Sequence, residues 1–190
     1  MKSILIIGLG RFGRHLCQKF MSLNNEVMIV DRDEAAVSAL ADNVTSAQIA
    51  DCTDENALRA LGVQNFDICF VCIGSDFASS LLITSILKEM GAARVVAKAA
   101  QDVHAKLLLR NGADEVVYPE RDSAERLAAR LSAQNVFDYI ELTDEYSIYE
   151  IAPMENWVGR SVREVDVRNK YHINILAVKE DGALKPLPGG

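Results

Sequence analysis

The 190-residue sequence predicts a doubly wound, parallel α/β sheet followed by a small α+β lobe, and three observations carry that prediction. Short apolar runs alternate with stretches of helical periodicity six times over the first 120 residues or so. The first run leads straight into Gly8-Leu9-Gly10-Arg11-Phe12-Gly13, which opens a helix. The second run ends in a carboxylate, Asp31.

Taken in order, residues 3–7 are apolar after Ser3, as a strand buried on both faces requires. A helical pattern follows from about Arg11 to Leu23. Glu26–Val30 is the second strand, and Asp33 to Ala41 reads as a helix with Asp33 as N-cap. Ala47–Ala50 is a strand; Thr53–Leu61 is a helix with Thr53 expected as N-cap and Gly62 just past its end. Phe66–Ile73 is the fourth strand, and Asp76–Met90 a helix stopped by Gly91. Arg94–Lys98 is a strand, Val103–Asn111 a helix stopped by Gly112, and Glu115–Tyr118 the sixth strand. Strands joined by helices specify a six-stranded doubly wound sheet of Rossmann type with right-handed crossovers.

After Pro119 the rhythm changes. Ser123–Gln134 reads as one long amphipathic helix. Strand-like pieces follow at Tyr139–Leu142 and Ser147–Ile151, then a short helix near Ser161–Val165 and a strand at Ile173–Val178. Asp181-Gly182 marks a tight hairpin turn. The chain stops at Leu187-Pro188-Gly189-Gly190 where another strand is expected, so the lobe reads as truncated. The division expected is 1–120 for the nucleotide-binding sheet, 121–136 for a crossover helix and 137–190 for a partial C-terminal lobe.

Composition narrows the function. A formal net charge of −7 argues against nucleic acid, because phosphate affinity needs a basic face. The apolar run after Met1-Lys2-Ser3 is too short for a signal peptide, and no stretch reaches the 18 or so apolar residues of a membrane span, so a cytoplasmic chain is expected. Cys17, Cys52, Cys69 and Cys72 are too scattered for a disulfide framework. Cys69 and Cys72 lie three apart in one strand, so they should face opposite sides of the sheet as buried hydrophobes.

The glycine loop carries the candidate site. Gly8 permits a tight turn, Gly10 lets a pyrophosphate approach the backbone, and Gly13 allows the helix to pack closely on the strand. The helix N-terminus offers unpaired N–H groups to phosphate. Asp31 is placed to hold ribose hydroxyls and to repel a 2′-phosphate, with Arg32 beside it as the one residue that could accommodate NADP. Asp51 and Cys52 follow the third strand, Gly74 and Ser75 the fourth, and Lys98 closes the fifth, all at carboxyl ends that converge on one crevice. Arg11, inside the loop, suits a terminal phosphate better than a nicotinamide ribose, which favours ATP or ADP over NAD or NADH.

No catalytic constellation accompanies this site. His15, His104 and His172 have no carboxylate or nucleophile at motif spacing, and the second unit is too small for a substrate domain. A small NAD-dependent oxidoreductase is therefore the weaker alternative to a binding module.

Gly8-Leu9-Gly10-Arg11-Phe12-Gly13, Asp31, IADCTDENAL (49–58), FVCIG (70–74), VVAKA (95–99) and GADEVVYPE (112–120) together resemble the RCK (regulator of potassium conductance) domains of bacterial Trk/Ktr potassium uptake systems. Segments 144–150, 156–159 and 167–171 resemble the start of the family's C-terminal lobe. The resemblance implies a non-enzymatic, nucleotide-sensing regulatory subunit that pairs as a homodimer, closes into an octameric ring and gates a membrane potassium channel. It implies that Gly8, Gly10, Arg11, Phe12 and Gly13 form the phosphate loop, with Arg11 telling ATP from ADP across the dimer. Asp31 would hold the ribose, Arg32 and Cys52 would border the adenine, and Gly74, Ser75 and Lys98 would complete the pocket. Glu120 would help hold Mg2+ or another divalent cation beside the phosphates. Cyclic di-AMP would bind the C-terminal lobe near Asp166 and Arg168. An NAD(H)-sensing regulator of the Trk branch is the alternative within the family.

Overall fold

The computed structural model describes every residue except 133–135, 144 and 188–190. The last two positions of the expected crossover helix, Asp144 and the terminal Pro-Gly-Gly therefore lie outside the described residues. The chain forms two compact units, Met1–Glu125 and Arg126–Gly190.

In the first unit β1 (Ser3–Ile7), β2 (Glu26–Asp31), β3 (Ser46–Ile49), β4 (Ile68–Val71), β5 (Val95–Lys98) and β6 (Glu115–Val117) make one parallel sheet in the order β3-β2-β1-β4-β5-β6. The helices between them are α1 (Arg11–Ser22), α2 (Glu34–Ser38), α3 (Glu55–Leu61), α4 (Phe77–Glu89) and α5 (Asp102–Arg110). Strand order reverses between β1 and β4, the switch point where this topology opens a crevice.

Strand periodicity sorts the core. Ile4, Ile6, Val27 and Ile29 pack with Cys17, Val37 and Leu40 in one cluster. Leu5, Ile7, Val71 and Val95 pack with Leu58, Ile83, Leu87 and Leu108 in another. Truncating a fully buried leucine such as Leu58 or Leu108 to alanine would cost about 2–5 kcal/mol. Cys69 belongs to the second cluster and Cys72 to the first, so the two thiols do face opposite sides of β4. All four cysteines are free and buried. Burial pushes Cys52, Cys69 and Cys72 up to about 12 and raises Cys17 as well. The thiolate is the nucleophile, so the native protein at pH 8 is expected to resist alkylation by iodoacetamide, while the denatured chain takes four labels by mass. Rapid labelling of any one cysteine in the native state would contradict this burial.

Several local expectations needed correction. Thr53 does not cap α3: its N–H and hydroxyl both bond Asp51 Oδ1, and Asp54 caps instead, accepting from the Asn56 N–H at 2.9 Å. The helix expected from Asp33 to Ala41 ends at Ser38, and a 3₁₀ turn covers Ala41–Asn43; Asp33 is its cap as expected. Gly62 does close α3 in the left-handed conformation, φ 66°.

α6 (Pro119–Ser132) begins four residues earlier than expected. Proline is well suited to a first helical turn, where its missing N–H has no partner to lose. In the second unit β7 (Val136–Thr143) and β8 (Tyr146–Ile151) form an antiparallel pair. α7 (Val162–Val165) starts with a capping box between Ser161 and Glu164. The unexpected α8 (Val167–Tyr171) follows, and the strand expected at Ile173–Val178 is displaced to β9 (Ala177–Glu180). β9 pairs with β10 (Ala183–Pro186) through Asp181 and Gly182, whose φ values of 49° and 81° are those of a tight hairpin turn. No helix among the described residues is long and apolar enough to cross a membrane.

Candidate functional site

The glycine loop is built by three different steric demands. Gly8 has φ 95°, and a side chain there would press on Ile73 and the Cys72 carbonyl carbon at 3.1–3.3 Å. A Cβ on Gly13 would fall 2.1 Å from the Gly8 carbonyl oxygen. A Cβ on Gly10 would meet nothing within 4 Å. Gly10 is also the N-cap of α1, and no side chain bonds the N–H groups of that first turn. Packing therefore requires two of the glycines, whereas the third keeps open the space in front of a helix N-terminus, where an anion is favoured.

Asp31 ties this loop to β2. Its Oδ2 accepts from the Leu9 N–H at 2.6 Å and its Oδ1 from the Asp33 N–H at 3.0 Å. Gly8 N–H donates to the Val30 carbonyl, and Arg14 Nε donates to the Leu9 carbonyl at 2.7 Å. The carboxylate read from sequence as a ribose holder braces the glycine turn.

A cleft of about 200 Å³ opens at the carboxyl ends of β1, β2 and β4, and Gly8, Gly10, Asp31, Arg32, Asp51, Cys52, Gly74 and Ser75 all line it. That is smaller than the roughly 300–1,000 Å³ of pockets that enclose a drug-sized ligand. Asp76 and Ser79 line the same cleft and went unnoticed in the sequence, where Asp76 reads only as a helix start. Asp76 caps α4, accepting from the Ser79 N–H at 3.0 Å and hydroxyl at 2.7 Å. Those bonds hold Asp76 below the usual carboxylate range; bonds from the Thr53 backbone and hydroxyl do the same for Asp51, and Arg32 lowers both.

The remaining candidates stand around the cleft. Arg11 is exposed on the first turn of α1. Phe12 is half-buried against the apolar cluster under β1 and β2, and Gly13 is buried beneath the turn. Lys98 runs along Gly74 and pairs with Glu120 Oε1 at 2.6 Å. This hydrogen bond holds Glu120 below its ordinary value, against some desolvation, and the Arg11 charge pulls the same way. Among the described residues no three acidic, histidine or cysteine side chains converge, and the Glu120 carboxylate faces the Lys98 ammonium. In the second unit Asp166 adopts φ 55° between α7 and α8 and accepts from the Asn169 amide at 2.7 Å.

One pair looks like chemistry and is packing. His104 Nε2 lies 2.7 Å from Ser80 Oγ, but Ser80 is fully buried and its hydroxyl also bonds the Phe77 carbonyl. The Phe77 ring packs at a tilt against the imidazole, centroids 4.5 Å apart, and burial lowers the histidine pKa. The serine has no access to a substrate.

The TrkA-N domain family matches residues 4–119. The chain is 43% identical over 178 residues to Ktr system potassium uptake protein C of Bacillus subtilis (strain 168), covering 94% of this chain and 80% of that one. It is 40% identical over 189 residues to Ktr system potassium uptake protein A of the same organism, covering 98% and 85%. Among solved structures, the GsuK channel bound to NAD superposes with a TM-score of 0.72 at 20% identity, over 97% of this chain and 34% of that one. The same channel bound to ADP gives 0.60 at 22%, over 68% and 34%. The open glycine turn, the switch-point cleft and these matches agree: the chain belongs to the TrkA-N domain family of Ktr/Trk potassium uptake regulatory proteins.

Proposed function

We propose that this protein is a cytoplasmic regulatory subunit that reads ATP against ADP in the switch-point cleft and gates a membrane potassium channel by changing the shape of a homo-oligomeric ring. The observation that carries this reading is the open space at Gly10 in front of an uncapped helix, with Asp31 lining the same cleft, Arg11 exposed on the first turn of that helix and Lys98 lying against Gly74. Such a turn favours phosphate, a carboxylate at Asp31 favours unphosphorylated ribose hydroxyls, and extra cations favour extra phosphates. When bound, the nucleotide would supply charge rather than chemistry. The chain's residues would hold it, and the difference in affinity between two ring shapes would move the gate.

NAD or NADH is the second reading, favoured by Asp31, which suits the ribose of any adenine nucleotide lacking a 2′-phosphate. Titration of the purified full chain separates the two. ATP and ADP are expected to bind more tightly than NADH, and Arg11→Ala is expected to reduce the ratio of ATP to ADP affinity by about tenfold, as for loss of a charge-assisted bond of roughly 1.4 kcal/mol or more. Unchanged discrimination in Arg11→Ala, or tight NADH binding without ATP binding, would reject the ATP/ADP reading. Mass in solution that stays monomeric under both nucleotides would reject the ring.

A further inference from the structure

We propose that the buried His104–Ser80 pair is a proton-sensitive latch: in mild acid His104 takes up charge, α5 loosens from the first turns of α4, and one wall of the switch-point cleft loses its support. The inference rests on the nucleotide reading of the cleft and adds to it a control by pH.

α4 serves two neighbours at once. Asp76, its N-cap, lines the cleft together with Ser79 and Ile83. Ser80 and Thr84, one turn apart on the same helix, are fully buried, and the Ser80 hydroxyl lies 2.7 Å from His104 Nε2 on α5. That hydroxyl also donates to the Phe77 carbonyl at 3.0 Å, and the Phe77 ring packs against the imidazole. His104 therefore holds the same helical turns that furnish part of the cleft wall.

Three conditions disfavour a charge on this imidazole. The residue is only 2% exposed, so protonation would bury a cation. It is the third residue of α5, where the helix N-terminus repels positive charge. No carboxylate pairs with it among the described residues. On α4, Asp76 is held by Ser79, Lys88 by Asp114, and Glu89 accepts from Ser85. On α5, Asp102 is taken by Tyr118 and Arg121, and Lys106 and Arg110 add only further positive charge. Lys98 at the end of β5 pairs with Glu120. None of these groups shifts the histidine, which burial alone holds below its ordinary range.

Above about pH 6.5 the imidazole is neutral whether the seam between α4 and α5 is closed or open. Below that, the open seam binds a proton that the closed seam refuses. Each fall in pH then favours opening until the closed form itself titrates. A nucleotide resting on the first turn of α4 would favour the closed seam, and by reciprocity acid would weaken its binding.

Hydrogen exchange of the full, nucleotide-free chain tests the latch, read by mass from about pH 7.5 to 5.5 and corrected for the intrinsic pH dependence of exchange. Between about pH 6.5 and 5.5 the protection of segment 77–84 is expected to fall several-fold. The limit is about tenfold, the most that one proton per pH unit allows, and β1 should change little. His104→Gln should remove the fall. Over the same range ATP affinity should drop at least about threefold more in the wild type than in His104→Gln, a comparison in which the nucleotide's own titration cancels. Imidazole NMR of the wild type keeps the test open even if the variant does not fold. One histidine should titrate below the other two, His15 and His172, which are exposed. Steady protection of 77–84, an equal fall in His104→Gln, an equal loss of ATP affinity in both proteins, or three histidines titrating alike overturns the proposal. If protection falls as expected but no nucleotide binds at any pH, the nucleotide reading fails and the latch stands. If ATP binds and 77–84 stays protected in acid, only the latch fails.

Discussion

Replacing Gly13 with alanine is expected to destabilise the six-stranded unit by roughly 2–3 kcal/mol or more, at the upper end for overpacking, and to abolish nucleotide binding with it. The new methyl would sit 2.1 Å from the Gly8 carbonyl oxygen, a backbone atom. Gly8 cannot easily retreat, because its N–H is bonded to the Val30 carbonyl and its φ is 95°. Relief requires α1 to lift from β1, exposing apolar side chains such as Leu9 and Cys17 that are now buried. Gly10→Ala supplies the contrast. Nothing lies within 4 Å of its Cβ and the residue has an ordinary φ of −63°, so stability should fall by less than about 1 kcal/mol, the scale of a poorer N-cap residue. Its nucleotide affinity should nevertheless drop by at least about tenfold, because the methyl occupies the approach to the helix N-terminus. Melting curves and titrations of the two variants check this directly. Equal melting temperatures for both, or unaltered binding by Gly10→Ala, would show that the loop does not divide its glycines between packing and ligand.

Asp31→Ala should be the second severe change, costing about 2–3 kcal/mol even with no nucleotide present. It removes both acceptors from the Leu9 and Asp33 N–H groups, bonds to a charged partner that contribute about 1.5–3 kcal/mol each when buried and less here, where the group is half-exposed. On the proposed function, nucleotide affinity should fall further than the stability loss explains, since the proposed ribose partner goes at the same time. Asp31→Asn should lie between: one oxygen still accepts, while the new amide faces an N–H it cannot bond. Hydrogen exchange at the Leu9 amide and thermal melting distinguish the two roles. If ligand-free Asp31→Ala melts like the wild type, the carboxylate does not brace the turn.

Much of the fold was legible because its signals are local and periodic. A strand buried on both faces has to be apolar throughout, so Ile4 to Ile7 declared itself. The period of two by itself places Cys69 and Cys72 on opposite faces, where the two apolar clusters hold them. The cleft residues were legible for a related reason: in this topology the carboxyl ends of β1, β2 and β4 converge, so Gly8, Asp31 and Gly74 needed only correct strand ends. The misreadings arose where two local rules competed. Thr53 and Asp54 are both good caps, and Asp51 took Thr53 for its own turn, leaving the helix to Asp54. Beyond Ile151 the elements are short and lightly buried, so apolar runs such as 173–178 carried little register information.

The sequence by itself determined the alternation of strand and helix, the sheet it builds, and the glycine turn at its first crossover, because each follows from side-chain periodicity and backbone sterics within a few residues. Only the tertiary structure decided which charges and hydroxyls meet: Asp31 with the Leu9 N–H, His104 with Ser80, and Lys98 with Glu120. Those partners lie 22 to 24 positions apart on different elements, and such pairings depend on how neighbouring elements set each side chain's depth, rotamer and exposure.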